Sequence, residues 1–285
     1  MPQILVTGAT GALGRLVVDS LLKRVPASSL IAGVRDTAKA ADIAAKGVTV
    51  RVVDYDRPET LGWALKGIER VLLISGSQVG KRVAQHTAVI EAARAAGVGL
   101  LAYTSILRAD TSTIGLAREH KATEEVLAKS GVRYVLLRHG WYTENFLNAI
   151  PQALQFGALT HCAADGRFAS ASRAEFADGA AAVITADNVP NGHRFELAGS
   201  SSFSKPELAA MLTRLSGKPV ANNALTEEAY REVLVQAGLP GFVADILSSS
   251  DAGAARGDLF DDSRTLEKLI GRPTQTIDDA VRGAL

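Results

Sequence analysis

The 285 residues are 47% hydrophobic, 21% charged and 5% aromatic, which suits one large or two modest globular domains. With 31 basic and 30 acidic side chains the net charge is +1, which excludes reliance on a basic field to hold nucleic acid or a membrane surface. The one cysteine, Cys162, excludes an internal disulfide framework and any multi-cysteine metal site, and no apolar run approaches the ~20 residues that cross a bilayer.

The first strand is expected at residues 3–7, where a secretory leader would otherwise stand, so a soluble cytoplasmic protein is expected. Further β-branched runs, apolar throughout, follow at 30–34, 48–53, 71–75, 100–105 and 134–138. Between them, amphipathic spacing predicts helices at 12–23, 38–46, 59–66, 83–96 and 117–130. Strands that do not alternate are buried on both faces, which means a parallel sheet covered by helices. The architecture expected is α/β, a Rossmann-type doubly wound parallel sheet. Thr37 can cap the second helix and Gly47 can end it, and Pro58 fits a first helical turn. Trp63, in the third helix, reads as a core residue.

Beyond Pro151 the rhythm breaks. Gly157, Gly166 and Ser170-Ala-Ser172 suggest short strands and loops before a helix at 174–185 and a strand near 195–197. Ser204 then caps a helix whose apolar stripe is Leu208, Met211, Leu212 and Leu215. Two or three more helices are expected from Thr226 onward.

The first strand runs into Thr7-Gly-Ala-Thr-Gly-Ala-Leu-Gly14. Gly8 allows a sharp turn, Gly11 lets the backbone approach a pyrophosphate, and Gly14 lets the helix lie close against its strand. Thr10, Ala12 and Leu13 belong to the same loop, at a helix N-terminus that supplies amide donors and a positive dipole end. In the first strand–helix crossing of such a fold, the pattern points to a dinucleotide. NAD-selective folds place an acidic residue at the end of strand two; this chain has Val34-Arg35-Asp36. Arg35 can grip a 2′-phosphate and Lys39 can add to that field, so NADPH is the expected cofactor. Asp36 can serve ribose hydroxyls or cap a helix.

Other strand ends should line the same crevice. Asp54 and Tyr55 can border the adenine, and Ser75, Gly76 and Ser77 can pass beneath the cofactor. Tyr103, Thr104 and Ser105 close strand five, while Gly140, Trp141 and Tyr142 follow strand six near the nicotinamide end. A turn or capping role is the competing reading for each.

With the glycine loop, Arg35, Ala102-Tyr-Thr-Ser105 and Leu136-Leu-Arg-His-Gly-Trp-Tyr-Thr-Glu-Asn145, the chain resembles the NmrA-like branch of the atypical short-chain dehydrogenases. Within that branch it is most similar to the bacterial reductases of quinones and of triphenylmethane dyes. The likeness also covers Val25-Pro-Ala-Ser28, Ala171-Ser-Arg173, Gly257-Asp-Leu-Phe-Asp-Asp-Ser263 and Lys268-Leu-Ile-Gly271, and so runs over essentially the whole length. It implies NADPH, a quinone-like acceptor, and Arg173 and His139 among the cofactor contacts. The division expected is an NADP-binding domain over 1–150 with a return segment at about 170–200, and a smaller α/β lobe over 151–169 and 201–285 that covers the substrate.

Orthodox short-chain dehydrogenases use a Tyr-x-x-x-Lys pair, but the matching segment here is Ala117-Arg-Glu-His-Lys121. Lys121 is present and the tyrosine is not, so chemistry at an alkoxide oxygen lacks its usual proton donor. A quinone needs less help, because its hydroquinone anion is delocalised. The expected reaction is direct hydride transfer from NADPH to a quinone or other flat aromatic acceptor, with no flavin and no metal. Trp141, Tyr142 and Phe146 can wall that ring, Tyr103 or Asn145 can orient its oxygen, and Lys121 can hold the nicotinamide ribose. Two other readings stand beside this one: an NADP-binding redox sensor without turnover, and a reductase of cationic dyes or other conjugated electrophiles. His120 reads as structural, and the His161–Cys162 pair as non-catalytic because neighbouring strand side chains point apart. The partner expected is a small molecule, with no nucleic acid or membrane; a homo-oligomer is compatible with the reading.

Overall fold

In the computed structural model, which describes residues 1–285, strands and helices alternate from the start. The order is β1 (Ile4–Val6), α1 (Ala12–Leu22), β2 (Leu30–Val34), α2 (Ala41–Ala44), β3 (Thr49–Val52), α3 (Pro58–Ala64) and β4 (Arg70–Leu73). Then come α4 (Arg82–Ala95), β5 (Leu100–Ile106), α5 (Ala117–Lys129), β6 (Tyr134–His139), α6 (Thr143–Leu147), α7 (Ile150–Phe156), β7 (Ala158–His161) and β8 (Arg167–Phe168). The chain continues through α8 (Arg173–Thr185), β9 (His193–Leu197), β10 (Phe203–Ser204), α9 (Lys205–Ser216) and β11 (Ala221–Ala224). It closes with α10 (Glu227–Gln236), α11 (Gly241–Ala255), α12 (Thr265–Ile270) and α13 (Ile277–Ala284).

Seven strands form one sheet in the order β3-β2-β1-β4-β5-β6-β9. The pairings from β3 through β6 are all parallel; Leu5, for example, sits opposite Ile31 on one side and Val71 on the other. Because β1, β2, β5 and most of β4 and β6 are buried along their length, both faces of the sheet must be covered. Leu5, Ile31, Val71, Leu73, Leu101 and Leu136 pack with Val89, Ile90 and Ala93 of α4 and Leu127 of α5. The connection after β1 turns toward β2, while the chain reaches β4 on the other side of β1. That change of direction is the topological switch at which doubly wound sheets bind ligands.

The chain divides into two compact units: Met1–Ile106, Glu119–His139 and Arg173–Phe195; and Leu107–Arg118, Gly140–Ser172 and Glu196–Leu285. A boundary at about residue 150 therefore does not follow the packing, since residues 107–118 and 140–150 group with the second unit. Within that unit β7 pairs in parallel with β11, and β8 pairs antiparallel with β10. The rings of Phe146, Phe168 and Phe203 meet one another at 4.9–6.0 Å. Lys205 Nζ lies 5.5 Å from the Phe146 ring and 3.3 Å from Asp251 Oδ1, so this buried cation has both an aromatic face and a carboxylate. Ser204 opens α9 with a capping box to Glu207, as its spacing predicts.

Several local expectations change. The second helix is a 3₁₀ turn (Thr37–Ala40) followed by the short α2, because only Ala40 and Ile43 give it an apolar face. Asp36 rather than Thr37 caps that turn, accepting from the Ala38 amide at 3.0 Å. Trp63 is 64% exposed and stacks under the Arg51 guanidinium, 5.3 Å from its ring, instead of entering the core. Four helices follow Thr226, not two or three, since α11 runs unbroken through Ser248-Ser-Ser250. No helix is long and apolar enough to cross a membrane.

Candidate active site

The turn from β1 to α1 is built so that only glycine fits it. Gly8 takes φ +60, in the left-handed region, and a Cβ on Gly14 would stand 2.2 Å from the Gly8 carbonyl oxygen and 2.8 Å from Ala9 Cα. Gly11 is the N-cap residue of α1 and offers no side chain to the helix. The amides of Ala12, Leu13 and Gly14 consequently have no protein acceptor, as the first turn of an uncapped helix requires. Gly8, Gly11 and Ala12 are exposed and Thr10 is half-buried. Free amides at the positive end of a helix dipole, on a backbone with no Cβ to obstruct it, fit the pyrophosphate of a dinucleotide.

Arg35 leaves the end of β2 exposed, and its guanidinium has no partner within the protein. Lys39 is also exposed one turn later, whereas Arg15 pairs with Asp42 and donates to the Lys39 carbonyl at 2.7 Å. Arg15 thus ties the turn after β2 to α1, and Arg35 and Lys39 stay exposed beside it. Asp36 serves as the cap described above.

The neighbouring strand ends are turned toward the protein. Tyr55 donates to Thr7 Oγ1 at 2.5 Å, and Asp54 accepts from the Asp56 amide at 3.1 Å. The Ser75 amide donates to Thr104 Oγ1 at 2.9 Å, and Ser77 is exposed. Gly76 donates to His86 Nε2 at 2.9 Å and accepts from Arg82 Nε at 2.8 Å. Ser105 Oγ donates to Glu124 Oε1 at 2.6 Å, and the same carboxylate takes Arg138 Nε at 2.9 Å and its terminal nitrogen at 2.6 Å. Thr104 and Ser105 are buried, so their hydroxyls hold strands and helices together. Tyr103 is likewise wholly buried, its hydroxyl 2.8 Å from His120 Nδ1, and burial pushes its pKa above the usual range. Its expected part in orienting a quinone oxygen is thereby overturned, because the group lies in the core as a neutral phenol. His120, its partner there, is buried as well.

Lys121 is exposed on α5, one turn beyond the buried Ala117. His139, at the end of β6, stacks on Phe176 at 4.5 Å, and burial pushes its pKa down to about 3, which leaves a neutral ring. Arg173 is the half-buried first residue of α8. Gly140, Trp141, Tyr142, Asn145 and Phe146 fall in the second unit. Gly140 donates its amide to the Leu197 carbonyl at 2.8 Å. Trp141, Tyr142 and Asn145 are half-buried, with Tyr142 bridged to Ala171. Phe146 is buried in the three-phenylalanine cluster, which makes it core rather than a wall for an acceptor.

No three His, Cys, Asp or Glu side chains stand where they could hold a metal ion. The Cys162 thiol donates to the Ser248 carbonyl at 3.3 Å, and burial raises its pKa to about 12, so it stays protonated and unreactive. Sequence reading missed Arg82, Gln85, His86 and Glu119, which support the turn after β4. A signal existed: Arg82, Gln85 and His86 begin the helical stripe that Val89, Ile90 and Ala93 continue. Polar residues at the head of a buried stripe mark a polar object beneath it.

The NAD(P)H-binding family model matches residues 8–187, from the glycine turn through α8. Quinone oxidoreductase 2 of Escherichia coli (strain K12) is 52% identical over 279 residues, 98% of this chain and 97% of that protein. The crystal structure of an NADPH-dependent quinone oxidoreductase from Escherichia coli complexed with NADPH is similar at TM-score 0.96 and 51% identity, covering 98% of this chain and 99% of that one. The Citrobacter sp. triphenylmethane reductase complexed with NADP(H) reaches TM-score 0.93 at 37% identity, covering 99% and 100% of the two chains.

Proposed function

The chain belongs to the NAD(P)H-binding family, and from that premise we propose that it is an NADPH-dependent reductase of quinones. The observation that carries the reading is the uncapped N-terminus of α1 at the sheet's switch point, set beside an Arg35 guanidinium with no protein partner. Gly8, Thr10, Gly11, Ala12, Leu13 and Gly14 hold the pyrophosphate, and Arg35 with Lys39 holds the 2′-phosphate. Bound NADPH supplies a hydride, and with one proton from water the quinone becomes a hydroquinone while NADP⁺ is left.

What the chain itself does is position and shield. Lys121 is assigned to the nicotinamide ribose, Arg173 to the cofactor, and the half-buried rings of Trp141 and Tyr142 to the flat acceptor. Placement of this kind supplies several kcal/mol of barrier lowering. Ala117 at the usual tyrosine position and the core-bound Tyr103 leave the usual phenol donor missing, which suits an acceptor whose reduced anion is already stabilised.

Stopped-flow loss of NADPH absorbance on mixing with a simple benzoquinone tests the proposal. Tight NADPH binding without turnover across a panel of quinones would refute it and favour a redox sensor. The likeness to triphenylmethane reductase supports a second acceptor class, so a cationic triphenylmethane dye belongs in the same panel.

A further inference from the structure

The loop from β4 to α4, residues 74–81, stands across the switch point from the glycine turn. Its peptide groups are gripped by side chains of its own unit. The Ile74 amide donates to Thr7 Oγ1 at 3.0 Å and the Ser75 amide to Thr104 Oγ1 at 2.9 Å. Gly76 is held on both sides, its amide by His86 Nε2 and its carbonyl by Arg82 Nε. At the far end the Gly80 amide donates to Glu119 Oε1 at 2.7 Å, and Arg82 closes the ring with Glu119 Oε2 at 3.1 Å.

The direction of these bonds fixes the histidine's state. Nε2 accepts from an N–H and so carries no proton; Nδ1 therefore carries it, facing Thr123 Oγ1 at 3.1 Å. Thr123 passes the chain on to the Glu119 carbonyl at 2.9 Å. Burial, with the Arg82 charge beside it, pushes the His86 pKa down to about 3, consistent with that neutral tautomer. Arg82, Gln85 and His86 are all buried, at positions where a helix that only covered a sheet would carry apolar residues. Their polarity is explained by the loop peptide beneath them.

We propose that His86 and Arg82 are positioning residues for NADPH, holding the Gly76 peptide so that the crevice wall opposite the glycine turn is formed before the cofactor arrives. The proposal rests on the NADPH reading above. A loop already ordered does not have to be ordered at binding, so releasing it weakens the cofactor complex without altering the chemical step. The role predicts a change in NADPH affinity and KM, with kcat and the quinone KM left near wild type.

The test compares wild type with His86→Leu, His86→Gln and Arg82→Lys. The measurements are NADPH dissociation constants by titration, KM and kcat for NADPH and a benzoquinone, and thermal midpoints. His86→Leu removes the acceptor of a buried amide, and about a tenfold rise in NADPH Kd and KM is expected. His86→Gln can place an amide oxygen where Nε2 stood and should restore most of that loss. Arg82→Lys keeps a cation beside Glu119 but loses the Nε–H bond to Gly76, with roughly a threefold rise expected. Should His86→Leu not fold, Arg82→Lys decides by the same criterion. Lowered thermal midpoints with unchanged NADPH KM, or losses confined to kcat, overturn the proposal. Wild-type protein that binds no NADPH would instead overturn the reading on which it rests.

Discussion

The turns after β1 and β4 leave neighbouring strands of one sheet and answer opposite demands. The first leaves the amides of Ala12, Leu13 and Gly14 without protein acceptors, and Arg35 beside it without a counter-ion. The second is pinned at Ile74, Ser75, Gly76 and Gly80 by the Thr7 side chain just after β1 and by side chains from β5, α4 and α5. One turn keeps its donors for a ligand; the other gives them up for rigidity. A binding crevice needs both, since free donors recognise a phosphate only if the opposite wall holds still. Substitutions on the first should cost affinity and leave stability alone, and substitutions around the second should cost affinity and stability together.

The largest effect expected is in pH dependence. His86 and His139 have folded-state pKa values of about 3, far below the ~6.5 of an unfolded chain. The unfolded state therefore takes up protons first, so stability is full above about pH 6.5 and falls as pH drops toward 3. The two residues together should remove about 5 kcal/mol between pH 6 and pH 4. Urea unfolding across that range measures it, and His86→Gln should remove part of the slope, the rest being shared with His139 and with His120 and His161, which burial also pushes down.

Next in size is Glu124→Ala, which takes the carboxylate from the buried Arg138 and Ser105. Breaking such a pair costs about 3–5 kcal/mol, read as a shifted urea midpoint. Arg35→Ala attacks the opposite side of the comparison. NADPH affinity should fall about ten- to a hundredfold, with NADH affinity and the thermal midpoint unchanged. Equal losses for both nucleotides would remove the 2′-phosphate assignment. The smallest effect separates cap from ligand: Asp36→Ala loses the bond to the Ala38 amide and should cost about 1 kcal/mol of stability. NADPH affinity should stay within about twofold, because a cap fixes the turn and not the nucleotide.

What could be read along the chain and what could not follow one physical line. Strands β1, β2 and β4–β6 were legible because burial on both faces leaves largely continuous apolar runs, the half-buried edge strand β3 because of its β-branched residues, and the glycine turn because Gly14 has no substitute at 2.2 Å from a carbonyl. β11, Ala221–Ala224, is exposed at every residue and is held by backbone pairing to β7, so no side-chain pattern records it. α11 contains three serines in a row whose hydroxyls bond back to the helix or turn to neighbours, which a propensity argument reads as loop. Trp63 looked apolar enough for the core, yet its helix presents it to Arg51 at the surface.

The amino-acid sequence alone determined the sheet, its glycine turn, the exposed Arg35 at the end of β2 and the missing tyrosine at Ala117, because each depends on local spacing or on a residue's own chemistry. Tertiary structure decided where polar side chains at the strand ends point. Tyr103 turns inward to His120, Ser105 to Glu124, and Phe146 into a cluster with Phe168 and Phe203, since each is claimed by a partner distant along the chain. The same holds for His86, whose role exists only once α4 lies over the Gly76 peptide. Strand order brings such partners together, and strand order is set by packing across the whole sheet rather than by any one segment of it.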